Sequence, residues 1–374
     1  MKVVHAITGL GIGGAENLLF DVAQEMAARG IAQQVIYYTP RSVLVPKFEA
    51  IGIKPLLIDE METGFLGAIR RTRRVICDAK PDILHTHLPR ADIVGRAAGL
   101  SVPNIPCFST IHNRDVWRGE KSPMSLFLAA FDKATINHSR RAHLIAVSES
   151  SRAWCMEKTH IRPDKITTCP NFATERSERR GEGVSRAALG IGEKDLVLVN
   201  AARMVPEKEQ IDIVRCAALL RAQGVTDIKF LILGDGEERG ALEEAIRDGG
   251  LQGQVILMGF QQNVYDYYSI SDAYLLPSSR EGFPVSLLEA ARSGLGTIAA
   301  DIPAMQDIKK GSEGIILYPL HDITTLSQIL LRARADRRIL VSLAEAGRAF
   351  EAQFTVTGYV DRLLALYGKR LAID

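Results

Sequence analysis

Short apolar runs alternate with stretches of helical period along almost the whole chain. Lys2-Val3-Val4-His5-Ala6-Ile7 is nearly continuous in apolar character, as strands covered on both faces are. A helical pattern with Leu18, Leu19, Val22, Ala23 and Met26 follows, and Gly30 supplies its C-terminal cap. Strand-like runs recur at Gln34–Tyr38, Pro55–Ile58, Ile83–His87, Cys107–Ile111 and His143–Val147, with helical stretches at Phe65–Ala79, Met124–Asn137 and Ser150–Lys158. The polar segment Thr174–Val184 has almost nothing to bury and reads as a linker. Alternation then restarts at Leu196–Asn200, Lys229–Leu233, Val255–Met258, Ala273–Leu276, Thr297–Ala300 and Gly314–Tyr318, and Val360–Ala372 closes with a helical pattern. Repeated strand–helix alternation predicts two α/β domains, each with a doubly wound parallel sheet, facing a cleft. Their bounds are read as 1–176 and 185–355, followed by a helix over 356–374.

Composition narrows the class. The chain has 374 residues, 47% of them hydrophobic and 24% charged, a size and profile that suit two domains of a soluble enzyme. No apolar run approaches the ~20 residues of a membrane span, and the first residues enter a strand pattern with no leader-like stretch. The cysteines Cys77, Cys107, Cys155, Cys169 and Cys216 are scattered without a CxxC pair, which predicts reduced core residues in a cytoplasmic protein. Charge is uneven: residues 1–180 carry 25 Lys+Arg against 18 Asp+Glu, so the first half favours an anionic partner or membrane surface.

Three stretches carry candidate chemistry. Gly9, Gly11 and Gly14 satisfy GxGxxG between a strand and a helix, which invites a dinucleotide reading. The acid that would hold the ribose is missing, since the second strand ends Tyr37-Tyr38-Thr39-Pro40-Arg41; an NADP reading through Arg41 and a plain tight turn both stay open. Ala201-Ala202-Arg203-Met204-Val205-Pro206-Glu207-Lys208 puts two cations where a parallel sheet binds ligands. An Arg fork with a Lys point charge suits a diphosphate, although solvated loop charges are the commoner fate of such residues. Ser278-Ser279-Arg280-Glu281-Gly282-Phe283-Pro284-Val285-Ser286-Leu287-Leu288-Glu289-Ala290 follows a strand, with Pro284 suited to the first helical position. Glu281 then falls in the loop and Glu289 in the second turn, about 7 Å further along the axis. Two such acids could grip hydroxyls of one extended ligand, with an anion accepted at the helix N-terminus between them. The blander alternative is a cap and a surface acid.

The whole string resembles the E-x7-E signature of the retaining group 1 (family 4) glycosyltransferases, and Gly13-Gly14-Ala15-Glu16 and the Arg203-x4-Lys208 element resemble theirs too. The resemblance implies the GT-B fold of two Rossmann-like domains, with a last helix crossing back to the N-terminal domain. It implies a nucleotide-sugar donor, by family habit a UDP-sugar, with no metal and no other cofactor. Donor-binding positions by the same carry-over are Gly13, Gly14, Arg203, Lys208, Gly234, Gly236, Gly259, Phe260, Glu281, Gly282, Phe283, Pro284, Val285 and Glu289. Catalytic positions are His112, Glu281, Arg203 and Lys208; acceptor-binding positions are Glu16, His85, His87 and His112. Two departures from the family pattern stand out: Glu209 follows Lys208 where glycine is usual, and Asn113 follows His112. The implied reaction moves a sugar to a saccharide or polyprenyl-diphosphate-linked acceptor. A nucleotide-sugar epimerase on the same fold and a non-catalytic sugar-nucleotide-binding protein are the alternatives.

His85 and His87 alternate on a strand and share one face. With His112 they could form a zinc triad, but no nearby acid or cysteine completes a set, so cleft-lining or packing is the preferred reading. His138, His143, His160 and His321 carry no signal. Phe65, Leu66 and Ile69 with Arg70, Arg71, Arg73 and Arg74 make a basic amphipathic helix, and Trp117-Arg118-Gly119-Glu120-Lys121 precedes a second one with Phe127, Leu128 and Phe131. Core packing explains either helix alone; both together, with the basic first half, suggest an anionic inner leaflet as a peripheral partner or a lipid-diphosphate acceptor, and no nucleic acid.

Overall fold

The strands of two parallel sheets carry the candidate residues at their C-terminal ends. The structure, a computed structural model, describes residues 1–112, 123–173 and 183–371. Asn113, the Trp117–Lys121 stretch, most of the proposed linker and the side chain of Leu128 lie outside the described residues. The chain divides into two units, Met1–Glu175 with Phe354–Asp374, and Arg176–Gln353.

The first unit holds β1 (Lys2–Ile7), β2 (Ala32–Tyr37), β3 (Leu56–Leu57), β4 (Ile83–His87), β5 (Cys107–Ile111), β6 (Ala142–Ala146) and β7 (Ile166–Thr168), in the order β3-β2-β1-β4-β5-β6-β7. Its central strands are buried on both faces by covering helices: Val4, Ala6, Ile36, Leu84 and Cys107 face one layer, Ile7, Val35 and Tyr37 the other. β7 is three residues long, too short for its periodicity to register in the sequence. The helix Val356–Leu371 belongs to this unit, burying Tyr359, Leu363 and Tyr367; Tyr359 packs on Phe172 and Tyr367 on Phe108.

The helix Glu60–Ala79 begins five residues before the predicted stretch, bends at Gly64 (φ 66°), and seats Ala68, Thr72 and Ile76 in the core. Met61, Phe65 and Leu66 remain exposed at its start, and Arg70, Arg71, Arg73 and Arg74 line its outer side. On Pro123–Asn137, Leu126 and Phe127 are also exposed, 62% and 61%. Core packing therefore accounts for one face of the first helix and leaves its apolar tip uncovered.

The second unit holds β8 (Leu196–Ala201), β9 (Ile228–Leu233), β10 (Val255–Gly259), β11 (Ala273–Leu276), β12 (Gly296–Ala300) and β13 (Ile315–Tyr318), in the order β10-β9-β8-β11-β12-β13. Strand order reverses direction between β8 and β11, the place where open α/β sheets bind ligands beyond the strand ends. The Arg203–Lys208 loop leaves β8 and the Ser278–Ala290 string leaves β11, so two motifs 73 residues apart in sequence flank one switch point.

Candidate active site

Three loops of the second unit are tied together by main-chain hydrogen bonds. Met204 N donates to Asp235 O at 2.9 Å and Glu238 N to Met204 O at 3.1 Å, joining the β8 and β9 loops. Ser279 N donates to Glu207 O at 3.0 Å, joining the β8 and β11 loops. Gly234 and Gly236 make the first junction possible. Gly234 has φ 127°, and a Cβ there would sit 1.9 Å from Ala202 O; a Cβ at Gly236 would sit 2.2 Å from Met204 O. Only glycine permits so close an approach of two backbones. Gly259 (φ 66°) closes β10 and gives its carbonyl to Gly234 N, and Phe260 after it is half exposed.

This clasp brings Lys208 to Glu281, Nζ to Oε1 at 2.6 Å, with both side chains largely buried. Glu281 is thus an ion-pair partner in the loop and not a helix cap. Pro284 is itself the N-cap (φ −73°, ψ 113°) and the helix runs Val285–Arg292, one residue later than the sequence suggests. Its fixed φ serves equally well at the cap, where no side-chain acceptor is present. Glu289 still falls in the second turn and is buried, as are Gly282 and Phe283. Beneath them Tyr274 of β11 donates to Ser286 Oγ at 2.7 Å, fixing the start of the helix; burial pushes its hydroxyl far above the ordinary tyrosine range. Arg292 holds the other end of the helix through Glu351 at 2.6 Å.

Arg203 is exposed and makes no hydrogen bond or ion pair among the described residues, while Gln210 Nε2 holds its carbonyl at 3.0 Å. A free guanidinium beside a loop fixed at both ends is ready for an anion. Glu209, where a glycine is usual, adopts φ 51° and lies toward His321, whose Nδ1 is 2.8 Å from Asp212 Oδ2 and 4.0 Å from Glu209 Oε2. Its carboxylate therefore faces a histidine, and His321 gains a structural part the sequence did not signal.

In the first unit, the glycine loop after β1 is a packed turn. A Cβ on Gly9 would meet Thr39 Oγ1 at 2.6 Å, and the Arg41 side chain lies along Gly9 and Gly11. Gly13 caps the helix Gly14–Ala28 with extended backbone; a Cβ there would fall 2.3 Å from the carboxylate of Glu16, which folds back over the helix start. Gly14 stays open. A helix terminus already carrying its own carboxylate is a poor seat for a dinucleotide pyrophosphate, which argues against the Arg41 reading.

Four histidines gather beside this loop. His85 is fully buried, Nδ1 to Tyr367 Oη at 2.6 Å and Nε2 to Thr110 Oγ1 at 2.7 Å. His87 Nδ1 lies 3.4 Å from Nε2 of His112, and His5, in register with His85 on β1, completes the group. Burial pushes His5 and His112 down to about 4 and holds His85 and His87 well below the usual histidine range. Gln33 pulls His5 the other way, although among the described residues neither His5 nitrogen meets a partner at hydrogen-bond geometry. His112 keeps part of its surface open while its Nδ1 is buried without a partner among the described residues. Sequence reading did not single out His5; its only signal was a polar residue in an otherwise apolar central strand. His143, read as carrying no signal, bonds Thr167 at 2.8 Å and accepts from Arg370 at 2.8 Å.

Two doubly wound parallel sheets with paired cations and acids beyond one switch point define the GT-B class of sugar transferases. The comparisons with known proteins agree. Residues 182–350 match the model of glycosyl transferases group 1, and residues 12–174 that of glycosyltransferase family 4. The chain belongs to the group 1 glycosyltransferases. It is 25% identical over 297 residues to the UDP-Gal:alpha-D-GlcNAc-diphosphoundecaprenol alpha-1,3-galactosyltransferase of Escherichia coli, covering 77% of this chain and 75% of that one. A phosphatidyl-myo-inositol mannosyltransferase of Mycobacterium leprae is 26% identical over 354 residues, covering 91% and 89%. The crystal structure of HepE from Anabaena with UDP and glucose is similar in fold (TM-score 0.82, 19% identity, 98% of this chain and 99% of that chain). No helix among the described residues is long and apolar enough to cross a membrane.

Proposed function

We propose that this glycosyltransferase is a retaining enzyme that moves a sugar from a UDP-sugar to a hydroxyl of a saccharide or lipid-linked saccharide during synthesis of cell-surface polysaccharide or glycolipid. The contact between Lys208 and Glu281 carries the reading, because it unites the diphosphate-type cation loop with the E-x7-E loop at one switch point. Arg203 and Lys208 then offset the charge of the departing diphosphate, in the part a divalent ion would otherwise take. Glu289 holds the ribose hydroxyls, and Glu281 with the backbone of Phe283–Val285 holds the sugar and phosphate. Gly234, Gly236, Gly259 and Phe260 flank the donor's nucleotide. His112, with His85 and His87 behind it, serves the acceptor side, and Glu16 serves it too. Rate enhancement comes mainly from positioning and from fixed charge at the leaving group.

The names of the relatives support the donor and acceptor classes: the E. coli enzyme uses a UDP-sugar and a diphosphoundecaprenol-linked acceptor, and HepE was crystallised with UDP. The exposed Met61, Phe65 and Leu66 beside a row of arginines support a peripheral hold on an anionic membrane leaflet. The test is thermal unfolding with UDP, GDP, ADP or CMP, each with and without Mg2+, on wild type and Arg203→Ala. The expected result is a magnesium-independent rise with UDP alone that Arg203→Ala abolishes. Stabilisation by another diphosphate reassigns the donor, and no rise with any of them ends the reading. Proton NMR of the product's anomeric centre then decides retention.

A further inference from the structure

We propose that His5, His85 and His87 form a binding site for a divalent transition-metal ion of the zinc type, lying within the first unit and distinct from the phosphate-binding cations of the second. The rings come from adjacent parallel strands: His5 pairs with His85, and His87 lies two residues further along the same face. Each offers a ring nitrogen such that the three atoms lie within 4.8 Å of one another. The His85 and His87 rings are 4.2 Å apart, and His5 is 5.9 and 5.7 Å from them.

The second observation is an absence of partners where partners are obligatory. Among the described residues, neither nitrogen of His5 nor Nε2 of His87, all three buried, finds a hydrogen-bond partner. A buried polar atom left unsatisfied costs about 1–3 kcal/mol, so three in one small space call for an occupant. Three neutral imidazoles are the ligand set of an open zinc site, and the rings would draw closer to bring their nitrogens to about 2.0–2.1 Å from the ion. The surroundings already supply outer support: His85 is held by Tyr367 and Thr110, one of which remains when the other nitrogen ligates. Gln33 Oε1, also buried without a partner among the described residues, is placed to take the second N–H of His5. An ion on His87 Nε2 would leave the His87 proton on Nδ1, facing His112 Nε2. The ion is thus a positioning element for His112 and takes no part in bond making.

A second group within metal reach, Glu209, Asp212 and His321, differs on each count: His321 is half exposed, and Asp212 is already paired with His321 and with Arg215.

The experiment is calorimetric titration of Zn2+ into metal-depleted full-length chain, repeated with Co2+ and its visible absorption, for wild type, His5→Gln, His87→Gln and the control His143→Gln. Retention of the UDP-induced thermal shift verifies that each variant is folded. One equivalent should bind the wild type and His143→Gln, with cobalt bands of low-symmetry nitrogen coordination. Each ligand variant should weaken binding by at least the roughly 10–100-fold that loss of even an outer-shell partner causes. Zinc should also move the labelled His112 ring signals to a single tautomer. No stoichiometric uptake by the wild type, or equal uptake by His5→Gln and His87→Gln, overturns the proposal.

Discussion

Lys208 Nζ stands 2.6 Å from Glu281 Oε1, and the pair is set by the hydrogen bond that Ser279 gives to the carbonyl of Glu207, the residue before the lysine. Each charge therefore has a mate before any ligand arrives. Removing one mate strands the other in a largely desolvated place, which typically costs about 3–5 kcal/mol. Lys208→Met should lower stability by an amount in that range, and Lys208→Met with Glu281→Gln should recover much of it. Chemical unfolding of the four proteins of this cycle checks the coupling; strictly additive losses would rule it out.

Arg203 should behave in the opposite way. It is exposed and unpaired among the described residues, so Arg203→Ala should leave unfolding of the free protein within ~0.5 kcal/mol of wild type. Nucleotide at 100 times its dissociation constant stabilises a folded protein by about 2.7 kcal/mol, and that increment should vanish in the variant. Calorimetric scans with and without UDP separate the two effects.

Gly234→Ala should be severe. The added methyl would stand 1.9 Å from Ala202 O on a backbone at φ 127°, so the β8 and β9 loops must part. A loss of several kcal/mol is expected, together with loss of nucleotide binding, whereas Gly240→Ala, where a Cβ meets nothing within 4 Å, should be neutral or stabilising. Melting temperatures of the two variants, with UDP binding, check this; a Gly234→Ala protein that melts and binds normally would show that the loops can separate freely.

Burial, with Arg370 and Lys165 beside it, pushes His143 down to about 4 from the ordinary 6.5. In the unfolded chain it takes up a proton as pH falls through 6.5, while in the folded chain it resists until about 4. The unfolded state then binds more protons, so folding stability present above pH 6.5 is lost as pH falls toward 4, on the order of 3 kcal/mol from this residue. His143→Gln should flatten that part of the stability profile, measured by urea unfolding at stepped pH.

Phe65 and Leu66 expose 42% and 64% of their surfaces next to four arginines. Vesicles containing anionic phospholipid should sediment the protein at low salt, and binding should weaken as ionic strength rises and the screening length falls to about 10 Å or less. Phe65→Ser with Leu66→Ser should abolish sedimentation at every salt concentration; unchanged sedimentation would mean that the exposed tip serves another purpose.

Much of this was legible in the sequence because it is local. Apolar runs marked the long strands, and the Arg203, Lys208, Glu281 and Glu289 spacings marked their loops. What depends on non-local pairing was hidden. The approach of Lys208 to Glu281 follows from a backbone bond from Ser279 to Glu207, doubled by the Ser279 hydroxyl across 72 residues, which no local pattern records. His5 escaped notice because β1 and β4 are neighbours in space but separated in sequence by β2 and β3. The reading of His85 and His87 as lining or packing residues lacked this third ring. Pro284 moved from first turn to cap because proline's fixed φ suits both positions, so sequence alone could not choose.

The helix Val356–Leu371 lies in the first unit, yet it is made only after all of Arg176–Gln353. On a ribosome adding about 5–20 residues per second, the first unit waits roughly ten to forty seconds for Tyr359, Leu363 and Tyr367 to cover its sheet. During synthesis both His85 and Phe108 lack their tyrosine neighbour. The half of the chain that is translated first is therefore the half that matures last, and a nascent chain stalled before Val356 would present it unfinished to chaperones and proteases.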